Sequence, residues 1–237
     1  MENNFEEKSH EGKPQENGGL TFKEIKDLEQ PLLEILETLG PKIERGEYTH
    51  IVGDDASGRL VALVFREIFN LLSYKSFDTK FIAGTRYYEG GFNEGYDKKK
   101  LEVKTYLAGQ NPERVLIVTD FISTGRSLLP VVESLQELEV DFDIATICIE
   151  YPESDNLQNF PMEKVTLGYK SSRTEPLPAI YDQHHLAGVV KKSFNLHSTK
   201  KDNSDPKDIA EARRDIKKLA GVVVKKYKES RQSQETA

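Results

Sequence analysis

The chain has one cysteine, Cys148, among its 237 residues. A single thiol excludes an intramolecular disulfide framework. Its place in the apolar run 142–149 reads as a small core residue rather than a nucleophile. Positive charge is also in short supply. The formal net charge is −7, which argues against nonspecific nucleic-acid binding as the main task. No apolar stretch reaches the length of a membrane span. The segment after Met1 is polar and acidic, with no apolar signal core. These absences predict a cytoplasmic protein with neither a membrane nor a nucleic acid as partner. There is no internal repeat.

What is present suits an α/β domain with appendages. Residues 1–19 are polar and read as a disordered tail. A helix follows, with Ile25, Leu28, Leu32, Leu36 and Leu39 at helical spacing. Thr21 and Glu24 fit a capping box, Pro31 should kink or divide the helix, and Gly40-Pro41 reads as its stop. This helix should pack across a sheet, with a homodimer contact as the rarer alternative. Strands are expected over 48–52, 79–84, 142–149 and 164–169, and helices over 60–72 and 128–138. Residues 85–100 show no helical period, and strand pairing should resume over 101–107. Residues 197–204 read as a polar linker that closes the domain over 20–196. Asp205 and Pro206 then open a final helix over 205–229. Its apolar stripe is Ile209, Ala212, Ile216, Leu219, Val223 and Tyr227, and it should dock on the domain or on a partner. Residues 230–237 should fray.

The stretch 114–128, RVLIVTDFISTGRSL, organises the rest. Val115, Leu116, Ile117 and Val118 suit a strand buried on both faces. Asp120 follows, then Ser123, Thr124, Gly125, Arg126 and Ser127, opening into an apolar helix. A hydroxyl- and glycine-rich turn between strand and helix can bind phosphate, because helix-start N–H groups lack intrahelical partners and the helix dipole favours an anion. Gly125 permits close backbone approach, the hydroxyls donate, and Arg126 adds charge. A second junction has the same layout. Strand 48–52 runs into Gly53, Asp54, Asp55, Ala56, Ser57, Gly58 and Arg59, and then into a strongly apolar helix. The plainer reading of Asp54 and Asp55 is that they cap that helix. Two such loops should converge at the C-terminal edge of one parallel sheet, where open α/β folds bind ligands.

VLIVTDFISTG resembles the phosphoribosyl-pyrophosphate (PRPP) signature of the type I phosphoribosyltransferases. The resemblance implies their mostly parallel α/β sheet. It implies transfer of a 5-phosphoribosyl group from Mg-PRPP to an acceptor such as a nucleobase, with Mg²⁺ as cofactor. Asp120 would be the catalytic, ribose-binding acid and would meet Mg²⁺ through water. Thr119, standing where that family usually has its first acid, would be a weaker ribose contact. Ser123, Thr124, Gly125, Arg126 and Ser127 would hold the 5′-phosphate. Ser57, Gly58 and Arg59 would hold pyrophosphate, with Asp54 or Asp55 orienting Arg59 or meeting the metal through water. Residues 85–100 match in position the family's mobile loop. Arg86 would add closing charge there; Lys98, Lys99 and Lys100 read rather as a solvated hairpin tip. The late region 171–188 would select the acceptor, with Tyr181, His184 and His185 as candidates. The other reading is a domain of the same fold that binds PRPP or a nucleoside monophosphate as a sensor, without turnover. A haloacid-dehalogenase-type phosphatase is a poorer match. Its D-x-D motif would need an acid at Ile122, and Gly53-Asp54-Asp55, similar to its late acidic motif, comes too early in the chain.

Overall fold

The computed structural model describes residues 19–56, 58–83, 92–150, 157, 160–169, 184–190, 195–202 and 204–235. For 92–94, 184, 185, 234 and 235 it describes the backbone only. The expected tail, apart from Gly19, lies outside these residues.

Five strands form one all-parallel sheet: β1 (His50–Asp54), β2 (Asp78–Ile82), β3 (Arg114–Ile122), β4 (Asp141–Ile149) and β5 (Val165–Tyr169), in the order β2-β1-β3-β4-β5. Alternation along the strands divides the core. Ile51, Leu116, Val118, Ala145 and Ile147 face one layer of helices, while Val52, Val115, Ile117, Phe142 and Ile144 face the other. The first layer holds α2 (Glu29–Glu44) and α3 (Arg59–Leu72); the second holds α4 (Phe92–Gln110) and α5 (Leu129–Glu137). From β1 the chain steps outward to β2 through α3 on one face. From β2 through α4 to β3, and on through α5 to β4, it steps the other way on the opposite face. Steps in opposite directions on opposite faces have one hand, as parallel crossovers require. The order reverses between β1 and β3, and there the outgoing chain leaves a crevice at the strands' C-terminal ends.

α7 (Pro206–Glu235) docks its apolar stripe on α2 and α3, with Ile216, Leu219, Ala220, Val223 and Tyr227 in their core. The chain does not fray from residue 230: the helix continues to Glu235, and Arg231 donates to Glu44 of α2 at 2.9 Å.

The start of the chain differs from expectation in three ways. The break falls at Asp27-Leu28, between a short α1 (Lys23–Lys26) and α2, so Pro31 sits in the first turn of α2 where its missing N–H costs nothing. No capping box forms. Buried Asp215 of α7 instead accepts the Thr21 and Phe22 N–H groups at 2.6 and 3.0 Å. Nor does Gly40-Pro41 stop the helix. The Tyr227 ring packs on Gly40 where a Cβ would stand, and the helix runs on to a Schellman stop at Gly46. There φ is +60°, Gly46 N–H bonds the Ile43 carbonyl, and Glu47 N–H bonds the Lys42 carbonyl.

Residues 92–110 are helix, not loop and strand. Lys99 on α4 is buried and donates to the Asn195 carbonyl at 2.8 Å, and Lys100 pairs with Glu133 and Glu137 of α5. Of the three lysines only Lys98 is exposed. Residues 197–204 are not a loose linker either. Thr199–Lys200 (β7) pairs antiparallel with Val189–Val190 (β6), beyond the short helix α6 (His184–Ala187).

Candidate functional site

β1 and β3 are adjacent parallel strands, with Gly53 opposite Val118. Their C-terminal loops therefore lie side by side where the strand order reverses. β1 extends through Asp54, and β3 through Ile122, so Asp54, Thr119 and Asp120 all belong to strands.

At the first loop Asp55 is 1% exposed. Its N–H donates to the Ile82 carbonyl at 2.9 Å, tying the loop to β2. One carboxylate oxygen accepts the Ala56 N–H at 2.8 Å and Arg59 Nη1; the other accepts the Ser198 N–H at 2.8 Å. The Arg59 guanidinium also stacks on the Phe81 ring, 4.2 Å from its centroid. Asp55 thus orients Arg59, and both of its oxygens are already engaged. Among the described residues it bonds no N–H of α3, which begins at Arg59 with Gly58 as its N-cap. Asp54 is buried, and its carbonyl accepts the Gly58 N–H at 2.9 Å. A Cβ at Gly58 would stand 2.8 Å from the Thr119 Cα, so the missing side chain is what lets this loop cross β3. Ala56 holds φ at +70°, a sparsely populated conformation for a residue with a side chain. Ser57 and Arg86 lie outside the described residues.

At the second loop Asp120 is 5% exposed. One of its oxygens accepts the Phe121 N–H at 2.8 Å and the Thr119 hydroxyl at 3.3 Å. Thr119 is wholly buried. Its hydroxyl turns to Asp120 and the Phe121 carbonyl. Thr146 of β4 supports the same spot by donating to the Asp120 carbonyl at 3.1 Å.

Gly125 has φ +70° and lies under the Phe160 ring, where a Cβ would meet the ring at 2.7 Å. Its carbonyl accepts the Leu128 and Leu129 N–H groups, Leu128 accepts those of Val131 and Val132, and Pro130 has none. The first turn of α5 therefore keeps its amides for itself, contrary to the expectation of a helix-start anion site. The donors on offer are in the loop. Among the described residues, nothing accepts the Ser123, Thr124 and Ser127 hydroxyls or the N–H groups of Ser123, Thr124, Gly125 and Ser127. Ser123, Thr124 and Ser127 are half-buried, and Arg126 is exposed beside them.

Cys148 is buried on β4, and burial pushes its thiol up to about 12, with the Asp120 and Glu150 charges adding to the shift. It stays protonated and inert, as its apolar run predicts. Tyr181 lies outside the described residues. His184 and His185 are described only as backbone of α6.

Several participants were invisible in the sequence. Ala56 carries no signal, since nothing in its residue type announces a positive φ. Ser198 acts through its backbone. Phe160 becomes a partner of the second loop, and Lys99 of the Asn195 carbonyl, only once the chain is folded. No protein-family model matches this sequence, and no curated protein matches it either.

Proposed function

We propose that the crevice at β1 and β3 binds a 5-phosphoribosyl ligand, and that the protein is a phosphoribosyltransferase using Mg-PRPP and an acceptor of the nucleobase class. One observation carries this reading. The hydroxyl and N–H donors of Ser123, Thr124, Gly125 and Ser127, which meet no acceptor among the described residues, follow directly on buried Asp120, beside a second loop that presents Arg59, where the strand order reverses. Ser123, Thr124, Gly125, Arg126 and Ser127 hold the 5′-phosphate. Asp120 takes the ribose hydroxyls, and Thr119 acts through Asp120, whose carboxylate it supports. Arg59 and Gly58, with Ser57 and Arg86, take the pyrophosphate. Catalysis is then mostly positioning and stabilisation of the departing charge.

The residues present fit Mg²⁺. A magnesium ion is commonly held by substrate phosphates, water and one or two carboxylates, and Asp120 and Asp54 supply two. Asp55 is excluded because both of its oxygens are engaged. Bound there, Mg²⁺ would neutralise charge on the leaving pyrophosphate.

The sensor reading draws on Thr119, which leaves Asp120 without a second acid at the ribose. Calorimetry with PRPP and Mg²⁺, followed by pyrophosphate release across a panel of bases, separates the two. The enzyme predicts saturable binding and release with at least one base; Asp120→Asn should abolish the release while 5′-phosphate affinity mostly survives. Tight binding with no release from any base would establish the sensor. No binding of PRPP or of a nucleoside monophosphate would sink both.

A further inference from the structure

Residues 195–201 lie across the site end of β1 and β2 as a strap. The Leu196 carbonyl accepts the Ala83 N–H at 2.7 Å. His197 Nδ1 donates to the Phe81 carbonyl at 2.7 Å, and its ring meets Tyr106 edge-on at 5.1 Å. The Asn195 carbonyl accepts from buried Lys99 at 2.8 Å. Lys201 N–H bonds the Gly188 carbonyl at 3.1 Å, next to the β6–β7 pair. Held at both ends, the strap places one N–H, that of Ser198, on the inner oxygen of Asp55. That carboxylate is almost dry, and its other oxygen grips Arg59.

A buried carboxylate needs several donors to stay charged. Among the described residues Asp55 has three: Ala56 N–H, Arg59 and Ser198 N–H. Without the strap it keeps two, and the anchor that aims Arg59 is weakened. Phe81 beneath the guanidinium belongs to the strand edge that His197 ties down. The strap therefore bears on both surfaces that fix Arg59.

We propose that Asp55 and the Ser198 N–H are positioning groups that hold Arg59 for pyrophosphate, so that the strap sets affinity at the first loop without touching the ligand. This rests on the pyrophosphate reading of that loop. Arginine has five donors in a fixed fork. With Nη1 on Asp55 and the face on Phe81, the remaining donors have a set direction, which favours an anion that offers several oxygens at once, as pyrophosphate does.

The test uses the full chain and two probes, inorganic pyrophosphate and inorganic phosphate, by calorimetry. Ser198→Pro removes the N–H, and Asp55→Asn removes the charge. Each should weaken pyrophosphate about tenfold, the scale of one charged hydrogen bond, and leave phosphate at residues 123–127 unchanged. In an Arg59→Ala background neither should cost anything further. Ser198→Ala keeps the N–H and loses only a buried hydroxyl that has no partner among the described residues, so it should restore the wild-type value. Equal losses for both probes, or losses that persist without Arg59, would overturn the proposal. The Arg59 Nε–H resonance gives a readout independent of ligand. It should be sharp and slow to exchange in wild type and Ser198→Ala, and broadened in Ser198→Pro. If wild type binds no pyrophosphate, the functional reading of the loop falls, while this resonance still decides the positioning. An identical resonance in all three proteins would overturn it.

Discussion

Thr119 and Gly125 show how a single residue changes the experiment that addresses it. Restoring an acid pair by Thr119→Asp would seem to strengthen ribose binding. Thr119 has no exposed surface, however, and Gly58 crosses directly over its Cα. A carboxylate there meets backbone and Asp120 rather than a ligand. The expected outcome is a loss of about 3 kcal/mol in stability, the scale of an uncompensated buried charge, with no gain in PRPP affinity. Urea unfolding measures the first, and tighter PRPP binding by a stable variant would refute the placement. Gly125→Val is similarly double-edged. A β-branched residue at φ +70° is strained, and its Cβ would enter the Phe160 ring. Loss of phosphate binding should therefore come with a fall of several degrees in Tm. Ser127→Ala is the cleaner probe: Tm stays put while phosphate affinity falls severalfold, as expected from losing one hydroxyl donor. Unchanged affinity would remove Ser127 from the loop's donors. The burial of Asp120 on β3 and the polar loop after it were legible because an apolar run that ends in hydroxyls and glycine marks where a buried strand gives way to a turn. The sealing of Thr119 was not, because it depends on a loop more than sixty positions earlier in the chain crossing above it.

Among the elements, α7 gives the plainest test of packing. Leu219 is fully buried between α2 and α3. Leu219→Ala should cost about 2–4 kcal/mol, the usual range for a buried leucine truncated to a cavity. A change below about 0.5 kcal/mol in chemical denaturation would show that the helix detaches in solution. Its stripe was readable because each apolar position of a surface helix that docks must face inward. The same logic fails for α4. There Lys99 is buried and Leu101 is 65% exposed, so the polar and apolar positions point the wrong way round and the helical period disappears. Lys99 is inside because the Asn195 carbonyl needs a donor, a demand set by the strap far along the chain. The central strands β3 and β4 were legible because apolar runs covered on both faces leave a continuous apolar signature. The strap was not, because its role is carried by main-chain groups that polar side chains conceal.

Over the whole molecule, the site end of the sheet is balanced by an ionic network at the opposite edge. Asp143, at the start of β4, accepts from Tyr48 at 2.7 Å, from Lys42 at 3.0 Å and from Arg114 at 3.0 Å. Burial disfavours its charge, but these three donors outweigh burial and hold its carboxyl below the usual range. Asp141, bonded to Lys164, is likewise held low. Burial also raises the Tyr48 hydroxyl, with Asp143 adding to the effect, so Tyr48 remains a donor throughout the working range. Carboxyls depressed in the fold contribute fully above their unfolded value, about pH 4, and that contribution is lost as pH falls through the lower folded value. His50 works at a higher pH. Burial lowers it, so the fold favours its neutral form and stability begins to decline below about pH 6.5. The stability curve should therefore slope gently from about pH 6.5 and steeply below about pH 4. Asp143→Asn separates the two limbs. It should cost about 2 kcal/mol at pH 7, since it leaves Lys42 and Arg114 short of an acceptor. As pH falls through the lowered folded value the wild-type carboxyl itself becomes neutral, so the gap between the two proteins should narrow in acid. The slope near pH 6, which belongs to His50, should be the same in both. Denaturant midpoints at pH 7, 5 and 2 measure all three points. A gap of the same size at pH 7 and pH 2 would mean that the Asp143 charge contributes nothing to holding β3, β4 and α2 together at this edge.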